Sequence, residues 1–332
     1  MASALRIFVA GATGYIGQFV TRELVRRGHE VVGFARRRAG VGGAMDEDTT
    51  RRALPGAEVR FGDVTDLDDL QGRGFGDERF DAVVSCLASR TGAPQDAWRI
   101  DHDAHLHLLE GARRAGASRF VLLSAICVQK PQLEFQRAKL AFEAALTASE
   151  LTHSIVRPTA YFKSLSGQIE RVKAGRPFLV FGDGTGTACK PIAEADLARF
   201  MADTLDDPEL QDAVLPVGGP GDAITPRAQA ELLFELLERP VRLKHVPLGL
   251  FDAIVKTLGV TARVVPPLRA KAELAQIGRY YATESMLVWD AANERYDADA
   301  TPSYGETTLR EHYTRALDEG LAGQELGDHA VF

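Results

Sequence analysis

The sequence predicts an α/β fold, a doubly wound parallel sheet followed by a smaller mixed α/β lobe, and three observations predict it. Short apolar runs alternate with amphipathic stretches between residues 6 and 156, the pattern of strands joined by crossover helices. The first apolar run leads straight into Gly11-Ala12-Thr13-Gly14-Tyr15-Ile16-Gly17, a glycine spacing that lets a strand turn sharply into a helix. After Arg157-Pro158 the alternation loses its regularity.

Residues 6–10 read as the first strand, and 16–27 as a helix closed by Gly28. Residues 30–35 form the second strand, followed by a Gly- and Arg-rich loop reaching Met45. Strands follow at 58–61 and 81–87, then a helix over 97–115 that stops at Gly116. A fifth strand at 119–124, a helix at 132–149 and a sixth strand at 152–156 complete the series. Parallel strands joined in this order require right-handed crossovers, hence a Rossmann-type sheet. The expected division is a nucleotide-binding domain over 1–160 and a substrate lobe over 161–332. The boundary is soft, because such lobes return segments to the sheet. Helical patterns in the second half lie at 166–173, 194–203, 226–237, 248–258 and 268–277, with strand-like pieces at 177–181 and 213–217.

A chain of 332 residues holds two domains, or one with an elaborated half. The formal charge of −7 disfavours nucleic acid and anionic lipid surfaces as partners. No apolar run reaches the roughly 18 residues of a transmembrane helix. Cys86, Cys127 and Cys189 are far apart and show no metal or disulfide pattern, which fits free thiols in a reducing compartment. The short lead into the first strand gives the expectation of a cytoplasmic chain without a signal or transit peptide.

The glycine heptad, with a strand before it and a helix after it, predicts a dinucleotide site. Gly11 allows the tight turn, Gly14 the approach of a diphosphate and Gly17 the packing of helix on strand. Thr13, Tyr15 and Ile16 share that first turn, whose free N–H groups attract an anion. The second strand ends in Ala35 and then Arg36-Arg37-Arg38, with no acidic residue where a ribose diol would be bound. Guanidinium groups bind a 2′-phosphate, so NADPH is the expected cofactor, with Arg36 as its ligand and Arg37 behind it. Asp63-Val64 ends the third strand and is placed to edge the adenine. Cys86-Leu87-Ala88 ends the fourth, where the nicotinamide half belongs, and Cys86 reads as a packed thiol.

The heptad and residues 119–124 together resemble the extended and atypical short-chain dehydrogenase/reductase superfamily. That resemblance implies a serine ending the fifth strand and a Tyr-x-x-x-Lys on the next helix. Ser124 and Lys139 match, but Phe135 stands at the tyrosine position. Ketone reduction needs a proton delivered to a developing alkoxide, which phenylalanine cannot supply. Hydride addition to an alkene conjugated with a large π-system lacks that need, because the negative charge is delocalised and the second carbon is protonated later.

Residues 121–131 and 133–140 further resemble the NADPH-dependent divinyl (proto)chlorophyllide 8-vinyl reductases, as do 154–165, 181–184, 188–192 and 301–309. This resemblance implies reduction of the 8-vinyl group of a divinyl chlorophyllide or protochlorophyllide to ethyl, in chlorophyll or bacteriochlorophyll synthesis. The implied partner is that tetrapyrrole alone, in a bacterial-type cytoplasmic chain, with peripheral contact to photosynthetic membranes left open. Lys139 is expected at the nicotinamide ribose, and Ser124 at the carboxamide or pocket wall. Phe135 offers a flat apolar face for a macrocycle, with Phe162 as a further pocket residue. Tyr161 is a candidate proton donor or a pocket-lining aromatic, and Lys163 and Arg157 are candidates for the substrate propionate, with Arg157 equally a candidate structural partner for a buried carbonyl. Two other readings stay open: an NmrA-like NADP(H)-sensing regulator without turnover, and an isoflavone-reductase-like enzyme acting on another aromatic substrate. His102, His105 and His107 read as structural rather than metal-binding, since they do not share one helix face. Asp46-Glu47-Asp48 reads as solvated surface, and residues 248–258 as core.

Overall fold

In the computed structural model, which describes residues 4–40, 43–264 and 268–320, the first half of the chain runs in the predicted order. It comprises β1 (Arg6–Ala10), α1 (Tyr15–Arg26), β2 (Glu30–Ala35), α2 (Glu47–Ala53), β3 (Glu58–Phe61), α3 (Leu67–Asp69), β4 (Ala82–Ser85), α4 (Pro94–Ala97), α5 (Ala104–Arg114), β5 (Arg119–Leu123), α6 (Glu134–Thr147) and β6 (Thr152–Pro158). There follow α7 (Phe162–Leu165), α8 (Ile169–Lys173), β7 (Phe178–Phe181), α9 (Glu194–Asp203), β8 (Ala213–Val217), α10 (Pro226–Leu236), β9 (Leu243–Val246), α11 (Leu248–Val264), α12 (Arg269–Thr283), β10 (Val288–Asp290), β11 (Arg295–Asp297) and α13 (Leu309–Glu319).

Seven strands form one parallel sheet in the order β3-β2-β1-β4-β5-β6-β8. The strand period of two explains why nearly every residue of β1 is apolar. Ile7 and Val9 face a layer containing Val20 and Leu24 of α1 and Leu197 and Met201 of α9. Phe8 and Ala10 face the opposite layer, with Leu108 of α5 and Phe142 and Leu146 of α6. Both faces are covered, which selects continuous hydrophobic strands over alternating ones. The chain past residue 161 supplies β8 and α9 to this sheet, so the second half is threaded into the first. A separate core joins Phe178 and Val180 of β7 to Leu233 and Phe234 of α10 and Tyr313 of α13.

Three expectations are corrected. The helix predicted over 97–115 is interrupted by a widened, π-helical turn at Trp98–Asp103 between α4 and α5. The acidic run is not merely solvated surface, because the Asp46 side chain accepts from Thr49 N–H and caps α2. Residues 248–258 are not core: on α11, Leu248 is 37% and Ile254 39% exposed. No helix among the described residues is long and apolar enough to cross a membrane.

Candidate cofactor and active site

The turn between β1 and α1 is built by contact as much as by conformation. Gly11 has φ of +75°, and a Cβ there would lie 2.7 Å from the Cys86 carbonyl carbon. A Cβ on Gly17 would lie 2.0 Å from the Gly11 carbonyl oxygen. Side chains at either position would push apart β1, α1 and the end of β4. Gly14 is the N-cap of α1 and provides no side-chain cap. The N-terminal turn of this twelve-residue helix, with Thr13, Tyr15 and Ile16 around it, is thus available to an anion. These features fit the diphosphate of a dinucleotide.

Around the rest of this edge, the predicted residues fall into place unequally. Arg36 is exposed at the end of β2 and has no ion pair among the described residues. Arg37 differs, since its guanidinium donates to Glu47 at 2.6 Å and ties the loop to α2. Asp63 spends its carboxylate on Thr65, accepting from both the N–H and the hydroxyl, and Val64 is half-buried beside it. Cys86 and Leu87 are half-buried and Ala88 exposed. Burial pushes the Cys86 thiol up to about 12, in keeping with a packed thiol.

Lys139, on the inner face of α6, is buried and pairs with Asp101 at 3.0 Å. Asp101 lies in the widened turn before α5, and it also accepts the Ser89 N–H at 3.2 Å. Beside this pair, His105 Nδ1 donates to the Ile100 carbonyl and its Nε2 accepts from Ser85. Burial, reinforced by the Lys139 ammonium, pushes His105 down to about 4, so the ring is neutral and structural. His102 is half-buried and pairs with Asp103. No metal-binding group of residues occurs among the described residues.

Ser124 is buried and donates its hydroxyl to Glu143 of α6. The same carboxylate holds the guanidinium of Arg157. Arg157 is therefore turned onto a buried carboxylate that would otherwise lack a countercharge, which favours its structural alternative over the substrate propionate. Phe162 is corrected as well: it is buried in the core of the second half, its ring 5.0 Å from that of His312. As the first residue of α7 it is directed inward with Ile169 and Val172.

Phe135 is half-buried, and packs with Ile277 of α12 against Gly92. Tyr161 is half-buried, with its ring 6.5 Å from Tyr15. Burial, with Cys86 and Cys127 as neighbours, holds its phenol well above the ordinary range. Lys163 places its ammonium 4.4 Å from the centre of the Tyr15 ring. Tyr15 in turn donates to the buried Glu194 at the start of α9, so the glycine turn is tied to the second half of the chain. Asp101, Glu143 and Glu194 escaped the sequence reading. Their one common signal is an acidic residue inside an otherwise apolar helical face, which alone does not say what it pairs with. Tyr281 of α12 escaped too; its hydroxyl lies 4.0 Å from the Cys127 sulfur.

The chain matches a family model described as NAD(P)H-binding over residues 11–208. It is 51% identical to the chloroplastic divinyl chlorophyllide a 8-vinyl-reductase of Oryza sativa subsp. indica, over 99% of this chain and 83% of that protein. The protein of the same name from Arabidopsis thaliana is 48% identical over 98% of this chain and 79% of its own length. Among solved structures, AtPrR2 with NADP+ and (+)pinoresinol shares the fold at 18% identity. Its TM-score is 0.66, covering 95% of this chain and 99% of that one. The Escherichia coli quinone oxidoreductase QOR2 complexed with NADPH also has 18% identity, with a TM-score of 0.63 over 94% and 99%. The relatives' chloroplastic naming overturns the expectation of a cytoplasmic, bacterial-type chain without a transit peptide. Their naming as 8-vinyl-reductases leaves the regulator and isoflavone-reductase-like readings unfavoured. At about half identity over nearly the whole chain, and with an NAD(P)H-binding family match over residues 11–208, the chain belongs to the divinyl chlorophyllide a 8-vinyl-reductase family.

Proposed function

We propose that this chain reduces the 8-vinyl group of a divinyl chlorophyllide or protochlorophyllide to ethyl with NADPH, in chlorophyll or bacteriochlorophyll synthesis. The observation that carries the reading is Phe135, an apolar ring packed with Ile277 one helical turn from the buried Lys139. A phenol there would serve carbonyl chemistry, whereas a ring without a proton suits an alkene on a flat macrocycle. Residues 1–160 serve as the nucleotide-binding domain and 161–332 as the substrate lobe, with β8 and α9 returned to the sheet.

NADPH, when bound, supplies the hydride. Gly11, Gly14 and Gly17, with Thr13, Tyr15 and Ile16, receive the diphosphate, and Arg36 meets the 2′-phosphate, with Arg37 bracing the loop. Asp63 and Val64 edge the adenine, while Cys86, Leu87 and Ala88 line the nicotinamide side. Lys139 holds the ribose hydroxyls. Ser124 has committed its only hydrogen to Glu143, so it faces the carboxamide as an acceptor. Tyr161 holds a proton at its phenol oxygen for the second vinyl carbon. Lys163 meets the propionate. The residues' main contribution is orientation, for which effective molarities reach about 10⁵ M or more.

The test is direct. Purified protein with NADPH and divinyl chlorophyllide should shift the pigment's Soret band to the blue, because loss of a conjugated vinyl shortens the π-system. Folded protein that binds NADPH and leaves the band unmoved would rule this reading out.

A further inference from the structure

Lys139 lies on α6 with its side chain almost wholly enclosed, and its ion pair among the described residues is to Asp101. Asp101 is 1% exposed. One of its carboxylate oxygens receives both the Lys139 ammonium and the Ser89 N–H. The other, Oδ2, is buried with no hydrogen-bond partner among the described residues. A carboxylate enclosed this way is costly, because burial takes from a charge its hydration without replacing every hydrogen bond.

The fold also goes out of its way to bring it there. The helix that would run straight from α4 to α5 widens by a residue over Trp98–Asp103, and Asp101 projects from that turn. Widened turns of this kind are frequent at functional sites. The neighbouring His105 is neutral and brings no charge that could replace Asp101. The two groups that Asp101 grips come from different elements facing the cofactor edge. Lys139 comes from α6, and Ser89 from the loop that continues Cys86-Leu87-Ala88 beyond β4.

We infer that Asp101 is a positioning residue for NADPH: it fixes the Lys139 ammonium against the loop after β4, assembling the ribose-binding edge before the cofactor arrives. The inference rests on the reading that Lys139 contacts the nicotinamide ribose. A long, flexible lysine would otherwise lose side-chain freedom on binding, and a preset ion pair removes that cost in advance. Phe135 makes such a device useful, since no phenol stands beside Lys139 to hold it.

NADPH dissociation constants, measured by nicotinamide fluorescence without pigment, test this directly, with Tm recorded for each variant. Asp101→Asn keeps the shape and an acceptor for Ser89 but removes the charge. It should weaken NADPH about tenfold, as should Lys139→Met. The double variant should be no weaker than about tenfold, because each change breaks the same coupling. Penalties that multiply to about a hundredfold would overturn the inference. So would an Asp101→Asn protein with lowered Tm and unchanged NADPH affinity. If Lys139→Met leaves affinity intact, the reading of Lys139 falls and Asp101 falls with it. If Lys139→Met weakens NADPH and Asp101→Asn does not, the role of Asp101 alone is lost. Should Asp101→Asn not fold, Asp101→Glu takes its place, keeping the charge and displacing it by one methylene. A clear loss of NADPH affinity then supports the inference, and full affinity overturns it.

Discussion

Ser124 gives its hydroxyl hydrogen to Glu143 Oε1, and Arg157 spans the same carboxylate, with Nε 3.3 Å from Oε1 and Nη2 on Oε2. The three residues come from the end of β5, the middle of α6 and the end of β6. The arrangement neutralises a buried acid and leaves Ser124 only lone pairs to offer.

Arg157→Met should therefore act on stability first. It strands Glu143, whose side chain is 6% exposed, and breaking a buried pair costs about 3 kcal/mol or more. Adding Glu143→Met should restore most of the Tm. A raised KM for pigment with an unchanged Tm would instead return Arg157 to the substrate carboxylate.

Gly17→Ala and Gly14→Ala should separate fold from cofactor. The new Cβ at 17 meets the Gly11 oxygen at 2.0 Å, while the one at 14 stands 3.1 Å from it. Gly17→Ala should lower stability by about 2 kcal/mol or more and abolish NADPH binding. Gly14→Ala should lower NADPH affinity with a smaller change in Tm. Thermal denaturation with and without NADPH distinguishes them.

Arg36→Glu should weaken NADPH far more than NADH, because the new carboxylate repels the 2′-phosphate and NADH has none. Arg37→Ala should release Glu47 from an exposed pair and change affinity and stability little, within about 1 kcal/mol. Titration of both cofactors against both variants checks this, and equal losses for NADPH and NADH would remove Arg36 from the phosphate.

Phe135→Tyr should not raise the rate of vinyl reduction. A correctly placed general acid is worth about 10²-fold or more, so a gain of that size would show that the reaction had lacked a phenol at this position. Single-turnover rates at saturating NADPH are the measurement.

Acid should destabilise the protein through two histidines. Burial pushes His105 and His312 down to about 4, each with a Ser hydroxyl at Nε2. The unfolded chain takes up those protons near pH 6.5 while the folded one resists until about pH 4. Their contribution is thus complete above pH 6.5 and is lost as pH falls toward 4, at about 1.4 kcal/mol per unit for each. Tm should be level above pH 7 and fall through that window. His312→Gln should flatten the slope, and an unchanged slope in that variant would dismiss its part in it.

The sheet was legible because short continuous apolar runs and the glycine heptad are local signals. β1, β2, β3 and the first part of the cofactor edge appear where the pattern puts them. Local signals fail where the decisive partner is far along the chain. Nothing around Arg157 announces Glu143, and nothing around residue 248 says that α11 lies at the surface. The capping of α2 by Asp46 was legible in principle, as an acidic residue opening a short helix, but the charge run masks it.

By itself the sequence determined the glycine turn, the basic end of β2 and the absence of a phenol at 135, because each depends on what a single residue can or cannot do. Only the tertiary structure decided which charges meet. It set Lys139 on Asp101, Arg157 on Glu143 and Tyr15 on Glu194, and it put Phe162 in a core instead of a pocket. The physical reason is that a buried charge must be compensated by whichever group the fold brings within a few ångströms. That proximity comes from strand order and helix packing, and residue spacing along the chain does not contain it.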